Sequence, residues 1–419
     1  MSKPNHLVIV NAWGNNRGDE AMLRALIYGV RQELPNTTVS VFSNAPMSLP
    51  TNTTLFAWSA LPFQRLLQGG KGPSAAVRIA PSLIHELRRQ QAGTHQVDAI
   101  LRTCDMILSA PAGPYIGEMY PVTEPSCLLS IWLARHYQKP CAIAATSAGP
   151  FAKPLRNAIR RTALAHVQWW TLREPHSYTA VESLNLAQTD IELVRDLVFA
   201  YPITTEQHST NPYEQALMAD LYQYLKHPTI GVTLNTTPYI DPTGRQHPFD
   251  SQNYAHELAA FLQQVVQLSN AQLLFFSHHY GSDRELQIIR TVINHLGATV
   301  RVRVVPPDLN SDAQQLLAAH LTLQISHRYH PTIFALQHSV PVFCIIHQFK
   351  TEGLLRYFDY PLPMPTTLTP VAEWLAYFEP VWEQREALRD HIRHALPMVR
   401  EQAQRTIERV VHTLQKPAR

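Results

Sequence analysis

The feature that most constrains the fold is a recurring unit: a short apolar run of strand length, a loop of small or charged residues, then residues apolar at helical spacing. Leu7-Val8-Ile9-Val10 runs into Gly14-Asn15-Asn16-Arg17-Gly18-Asp19-Glu20 and then into Ala21-Met22-Leu23-Arg24-Ala25-Leu26-Ile27. Val39-Ser40-Val41-Phe42 is a second strand. Asp105 to Ser109 ends in Ala110-Pro111-Ala112-Gly113, Cys141 to Thr146 ends in Ser147-Ala148-Gly149, and Gln168 to Leu172 delivers Arg173-Glu174. Near-continuous apolar strands joined by helices are the mark of parallel sheets covered on both faces, so the chain is expected to be α/β and doubly wound.

A polar stretch from Thr204 to Asn211 interrupts the series, and a second one follows it. Its strands are Thr229 to Leu234, Gln272 to Phe276 (ending in Ser277-His278-His279), Val300 to Val305, Leu321 to Ile325 and Val340 to Ile346. At 419 residues the chain also exceeds one typical core. Two domains are expected, residues 1–205 and 206–419, the first with an insertion over about 46–96 that carries an amphipathic helix from Ile79 to Gln91. Helices are expected at Glu379 to Arg393 and Val399 to Leu414.

Composition narrows the partners. Apolar residues make up 45% and charged residues 16%, the balance of a globular chain. Net charge is only +3, with no dense basic block, which argues against nucleic acid. The apolar run Leu7 to Val10 is too short for a signal-peptide core, and no stretch approaches the roughly 20 apolar residues of a membrane span. A cytoplasmic protein is expected. Cys104, Cys127, Cys141 and Cys344 are scattered and read as buried thiols rather than disulfides or zinc ligands. From Arg385 to Arg419, eight Lys or Arg stand against four Asp or Glu. That segment reads either as a solvated helix face packed across the domain boundary or as a peripheral contact with the inner face of an anionic membrane.

Ligands in open α/β sheets bind beyond the carboxyl ends of the strands. At one such position, Ser326-His327-Arg328-Tyr329-His330, an arginine and two histidines stand together. It follows Leu321-Thr322-Leu323-Gln324-Ile325, whose alternation suggests a half-buried strand, and precedes Pro331, expected at the first position of a helix. His278, Gly113, Ser147 and Arg173 occupy equivalent strand ends. In the first loop, one reading gives Asp19 and Glu20 to the positive end of the helix. The other gives the amides of Asn15, Asn16 and Gly18, with the Arg17 guanidinium, to a polar or anionic group. His327 and His330 lie three apart and His278-His279 are adjacent, but there is no His-Glu-x-x-His pattern, and no metal or cofactor is expected. Neither a Walker loop, a Gly-x-Gly-x-x-Gly fingerprint nor a Gly-x-Ser-x-Gly elbow is present.

Taken in order, Gly14 to Glu20, Gly149-Pro150-Phe151, Leu172-Arg173-Glu174 with Ser177, Asp196, Ser326 to His330, Phe334-Ala335-Leu336, Val340-Pro341-Val342, and Lys350 with Gly353-Leu354-Leu355 resemble the polysaccharide pyruvyl transferases. The sequence departs from that pattern at Ala110-Pro111-Ala112-Gly113-Pro114 and around His347-Gln348-Phe349. The resemblance implies two Rossmann-like domains facing across a cleft, as in B-type glycosyltransferases, with an acceptor-side and a donor-side domain. It also implies transfer of the pyruvyl unit of phosphoenolpyruvate onto two hydroxyls of one sugar, in a surface glycan or its lipid-linked precursor. In that reaction Arg173 and Arg328 grip the donor's oxygens, Lys350 adds a point charge, and His330 is the general acid. His327 is read as structural. Asn15, Asn16, Arg17, Asp19, Gly113, Ser147 and His278 are the remaining substrate-binding candidates. The competing activity is sugar transfer from a nucleotide donor, and a non-catalytic glycan-binding protein is a third class.

Overall fold

A computed structural model of the chain describes residues 4–61, 95–203, 212–235, 239–241, 243, 245–247, 253–279 and 284–416. The chain divides into two compact units, one of residues 1–15, 22–201 and 402–419, the other of residues 16–21 and 202–401.

Among its described residues the first unit holds seven strands in the order β3-β2-β1-β4-β5-β6-β7, all parallel. These are β1 (His6–Ala12), β2 (Thr38–Ser43), β3 (Thr53–Ala57), β4 (Met106–Ser109), β5 (Cys141–Thr146), β6 (Val167–Leu172) and β7 (Asp190–Leu193). The connecting helices are α1 (Arg17–Glu33), α2 (His95–Thr103), α3 (Glu124–His136), α4 (Pro154–Leu164) and α5 (Pro175–Glu182). β1 to the β2 side and β1 to the β4 side run in opposite senses across the sheet, so the strand order reverses between β1 and β4. Val8, Val10, Ile107, Ile143, Trp170 and Leu172 are fully buried between the helical layers, which is why these strands read as continuous apolar runs.

Among its described residues the second unit repeats the construction with a five-stranded parallel sheet ordered β10-β9-β8-β11-β12. Its strands are β8 (Thr229–Thr233), β9 (Gln272–Phe276), β10 (Val302–Val305), β11 (Leu323–Ser326) and β12 (Val342–Cys344). Its helices are α6 (Pro212–Tyr224), α7 (Tyr254–Ser269), α8 (Arg284–His295), α9 (Ser311–Ala318), α10 (Tyr329–Leu336), α11 (Phe349–Tyr357) and α12 (Trp374–Glu383). The last helix, α13 (Arg385–Gln415), is divided between the units.

Several expectations are corrected. β3 falls inside the expected insertion and is instead an edge strand paired with β2. Its residues are largely exposed, so it lacks the buried run that marks the others. The helix expected from Ile79 to Gln91 lies outside the described residues, as does the polar stretch 204–211. β11 is buried along its whole length despite its alternation. Both its neighbours pair with it and both faces are covered; Gln324, 1% exposed, turns its amide onto the Ile325 carbonyl.

The helices expected at 379–393 and 399–414 are replaced by α12 and a continuous α13 that runs through Pro397. Leu388, Ile392, Leu396, Val399, Ala403, Ile407, Val410 and Leu414 form one buried stripe at three- and four-residue spacing. Burying that stripe outweighs the hydrogen bond lost at one proline. Residues 402–419 join the first unit rather than the second: a β-carbon on Gly29 would lie 2.4 Å from the Ile407 side chain, Trp169 donates to the Thr413 hydroxyl, and Arg409 pairs with Asp190 and Glu192. All four cysteines are buried thiols in no disulfide, and burial pushes the Cys141 and Cys344 thiols up to about 12.

Candidate active site

The second unit's sheet delivers Arg328 and His330 beyond β11. The Ser326 hydroxyl accepts from the Arg328 amide and donates to the Arg328 carbonyl, closing a tight turn at the strand end. Arg328 is extended, and α10 starts at Tyr329, two residues before the proline expected to open it. His330 therefore sits in the first turn of the helix, 5% exposed. Its ring stacks on the ring of His278 at the end of β9, with centroids 5.9 Å apart and planes 20° apart.

Glu285, in the first turn of α8, ties this region together and was not singled out in the sequence. One carboxylate oxygen accepts from the His278 and His279 amides, each at 2.7 Å, and the other pairs with the Arg328 guanidinium. Charge-assisted bonds of this kind are about twice as strong as neutral ones. The available signal was an acidic residue opening the helix that follows a strand ending in two histidines.

Residues 16–21, though carried by the first loop, belong to this unit. Asn16 forms an isolated bridge with His279, and the Arg17 amide donates to the His278 carbonyl at 3.0 Å. The Gly18 amide donates to His278 Nε2 at 3.1 Å and to Asn16 Oδ1 at 2.8 Å. Nε2 is thus an acceptor, which puts the proton of a neutral ring on Nδ1. Burial, then the positive fields of His330, His279, Arg328 and Arg17, hold the His278 pKa well below the usual histidine value. The Gly18 amide and Arg17 guanidinium, read in one alternative as a cradle for an anion, are engaged inside the unit. Arg17 is 3% exposed, with Nη1 on Glu20 at 3.0 Å and Nη2 on the Pro307 carbonyl at 2.6 Å. Glu20 in turn accepts from the Ser311 amide at the start of α9. Asp19 is buried in the first turn of α1, its amide on Asn16 Oδ1.

Lys350, at the start of α11, holds its Nζ 5.4 Å from the Tyr329 ring centroid, and that ring meets His330 edge-on at 5.2 Å. Arg17, His278, Arg328, His330 and Lys350 are thereby linked through direct or single-residue contacts. His327 points elsewhere: its Nδ1 is 2.9 Å from the Tyr254 hydroxyl and its ring packs on Trp374. Burial lowers its pKa to about 3. Among the described residues no three His, Cys, Asp or Glu side chains converge as metal ligands.

In the first unit Arg173 follows β6 and is fully buried. Its Nη1 pairs with Asp196 at 2.7 Å and its Nε donates to the Ser147 hydroxyl at 3.1 Å. Asp196 also caps the short 3-10 turn at Leu197–Ala200 through the Val198 amide. Ser147 hangs on the loop after β4 through its amide to the Ala112 carbonyl, and Gly113 faces the Tyr115 ring. Arg173, Ser147 and Gly113 thus form a second group. Asn15 is half-buried in this unit.

The sequence model of the polysaccharide pyruvyl transferase family matches residues 16–348. The chain belongs to that family. Every pyruvyl transferase candidate named above except Asn15 and Lys350 lies inside the matched span. The chain is 22% identical over 375 residues to the amylovoran biosynthesis protein AmsJ of Erwinia amylovora, covering 85% of this chain and 86% of that one. Among solved structures it resembles Anabaena Alr3699/HepE in complex with UDP-glucose (TM-score 0.55, 12% identity, 98% and 99% covered). It also resembles the Neisseria meningitidis UDP-GlcNAc 2-epimerase bound to UDP-GlcNAc (TM-score 0.58, 12% identity, 98% and 100% covered). At such identities the likeness shows a shared fold, the pair of Rossmann-like units of GT-B-like enzymes. This pyruvyl transferase is an enzyme of polysaccharide pyruvylation. Among its described residues no helix is long and apolar enough to cross a membrane.

Proposed function

We propose that this pyruvyl transferase uses phosphoenolpyruvate as donor and forms a cyclic pyruvate ketal on two hydroxyls of one sugar, in a surface polysaccharide or its lipid-linked precursor, with release of phosphate. The observation that carries the reading is the His330 imidazole held beside Arg328 at the carboxyl end of the second unit's sheet.

Phosphoenolpyruvate presents a phosphate and a carboxylate on three carbons, and a guanidinium grips such oxygens in pairs. Arg328 keeps 19% of its side chain accessible beside its Glu285 partner, so it can share its donors with a ligand. His330 protonates the methylene carbon, and the electron-poor carbon this creates is attacked by the first sugar hydroxyl. Expulsion of phosphate and attack by the second hydroxyl close the ketal, and the two hydroxyl protons leave with phosphate and with the restored imidazole. His278, neutral and stacked on His330, holds the acid in place. Lys350 contributes a point charge. Arg173 is fully buried, so its part is to fix the Ser147 hydroxyl rather than to touch the donor.

Incubating the protein with phosphoenolpyruvate and a panel of glycan acceptors should release phosphate and give a new ketal methyl resonance, both lost in His330→Ala. Phosphate release undiminished in His330→Ala would remove the assignment. Release of a nucleoside diphosphate from a nucleotide sugar, with none of these products from phosphoenolpyruvate, would replace the reading by glycosyl transfer.

A further inference from the structure

We infer that the first unit carries a stacking subsite for one pyranose ring of the acceptor glycan, built by Trp13, Tyr115 and Tyr120 at the point where its strand order reverses. The inference deepens the reading given above, naming where the sugar is held.

Ligand crevices in doubly wound sheets open where strand order reverses, here between the carboxyl ends of β1 and β4. Trp13 is the first residue after β1, and Tyr115 lies in the loop after β4. Their rings stack with centroids 4.4 Å apart and planes at 21°. Tyr120 continues the surface, 5.0 Å from Tyr115 and 36% exposed, and Val122 beside it is 88% exposed. Trp13 and Tyr115 are only partly buried, although Trp58, Ile107 and Ile116 behind them belong to the core.

Local backbone supports the placement. Asn11 has φ 62°, in the left-handed region, and pairing of β1 with β2 shifts register between Ile9 and Ala12. The bulge is pinned by Asn11 Nδ2, which donates to the Ser109 hydroxyl and the Cys127 carbonyl. Bulges re-aim the side chains that follow them, and they gather beside binding sites. Gly113 lies under the same surface, where a β-carbon would meet the Tyr115 ring at 3.4 Å, an ordinary contact. The Trp13 indole N–H is shielded from solvent and meets no acceptor among the described residues, the kind of unmet donor a sugar hydroxyl satisfies.

A pyranose suits these features. Its axial C–H face packs on an aromatic ring, while its hydroxyls seek isolated donors and acceptors at the margin. Phosphoenolpyruvate, small and doubly anionic, has no face for such a surface.

The test uses the full-length protein and methyl α- and β-pyranosides of glucose, galactose and mannose at millimolar concentration, read by saturation-transfer NMR. At least one is expected to receive saturation on its ring C–H protons. Tyr120→Ala should weaken that sugar by at least about tenfold, and Trp13→Phe, which keeps a ring but removes the N–H, by about threefold. Binding of none of the six, or unaltered binding by both variants, overturns the subsite. Calorimetric titration with phosphoenolpyruvate separates the two readings: sugar bound without phosphoenolpyruvate keeps the subsite and removes the donor, whereas phosphoenolpyruvate bound without sugar removes the subsite alone.

Discussion

Gly18 and His330 are packed so closely that a β-carbon on Gly18 would lie 1.8 Å from the imidazole Nδ1. Only a residue without a side chain lets this loop lie against the His330 imidazole. That close approach accounts for the glycine, whose amide at the same time fixes the proton of His278.

Gly18→Ala should therefore displace His330 without unfolding either sheet. A catalytic group misplaced by about 1 Å loses about 10²-fold in rate, so phosphate release should fall by about that factor while far-UV circular dichroism is unchanged. An alanine variant turning over at the parent rate would show that His330 is not the acid.

Glu285 holds two backbone amides and one guanidinium. Glu285→Gln keeps an oxygen for the amides but loses the charge, and should cost about 1.5–3 kcal/mol in urea unfolding. Glu285→Ala leaves Arg328 and both amides without it and should cost about 3–5 kcal/mol. Midpoints unchanged from the parent in both variants would show that the carboxylate does not support this region.

Acid should loosen the second unit through its buried imidazoles. Burial lowers the His278, His327 and His347 pKa values, that of His327 to about 3, and the positive field of Arg328 adds to the effect in all three. The unfolded rings take up protons near pH 6.5 while the folded ones do not, so their contribution is complete above about pH 6.5 and is lost as pH falls below it, for His327 down to about 3. Each such ring should cost about 1.4 kcal/mol per pH unit in that window. Urea midpoints at pH 8 and pH 5 measure it, and His327→Gln should shrink the difference by the share of one ring.

In the first unit Arg160, fully buried, makes a two-pronged bond to Glu124 at 2.7 and 2.9 Å and reaches Glu118 at 3.4 Å. Glu124 also accepts from the Gly117 amide, so the pair ties α4 and α3 to the loop that carries Tyr115. Glu124→Gln leaves the guanidinium short of charge and should cost about 3–5 kcal/mol. Arg160→Met with Glu124→Leu should recover much of that loss; a double variant no more stable than the single one would refute the account.

Much of the architecture could be read in the residues. Ten of the twelve strands among the described residues appear as apolar runs, or as an alternating run, at matching positions, because parallel strands buried on both faces need such residues whatever their neighbours. β3 and β7 escaped because edge strands that are not fully buried need no such run, and α9 because its buried polar residues Gln314 and Gln315 disguise its apolar face. The strand ends carrying Arg173, His278 and Arg328 were visible for the same reason as the strands.

What local sequence determined, then, is where strands and helices begin and which charged residues stand at the carboxyl ends of the sheets, since hydrophobic periodicity acts over a few residues. Tertiary structure decided that residues 16–21 pack with a unit two hundred residues away, that Arg17 and Arg173 are held by Glu20 and Asp196, that Glu285 holds Arg328, and that α13 runs through Pro397. Each of those outcomes depends on desolvation and on partners brought together only when the sheets form. A charged group's role follows from its burial and its neighbours, and neither is a property of the chain read in order.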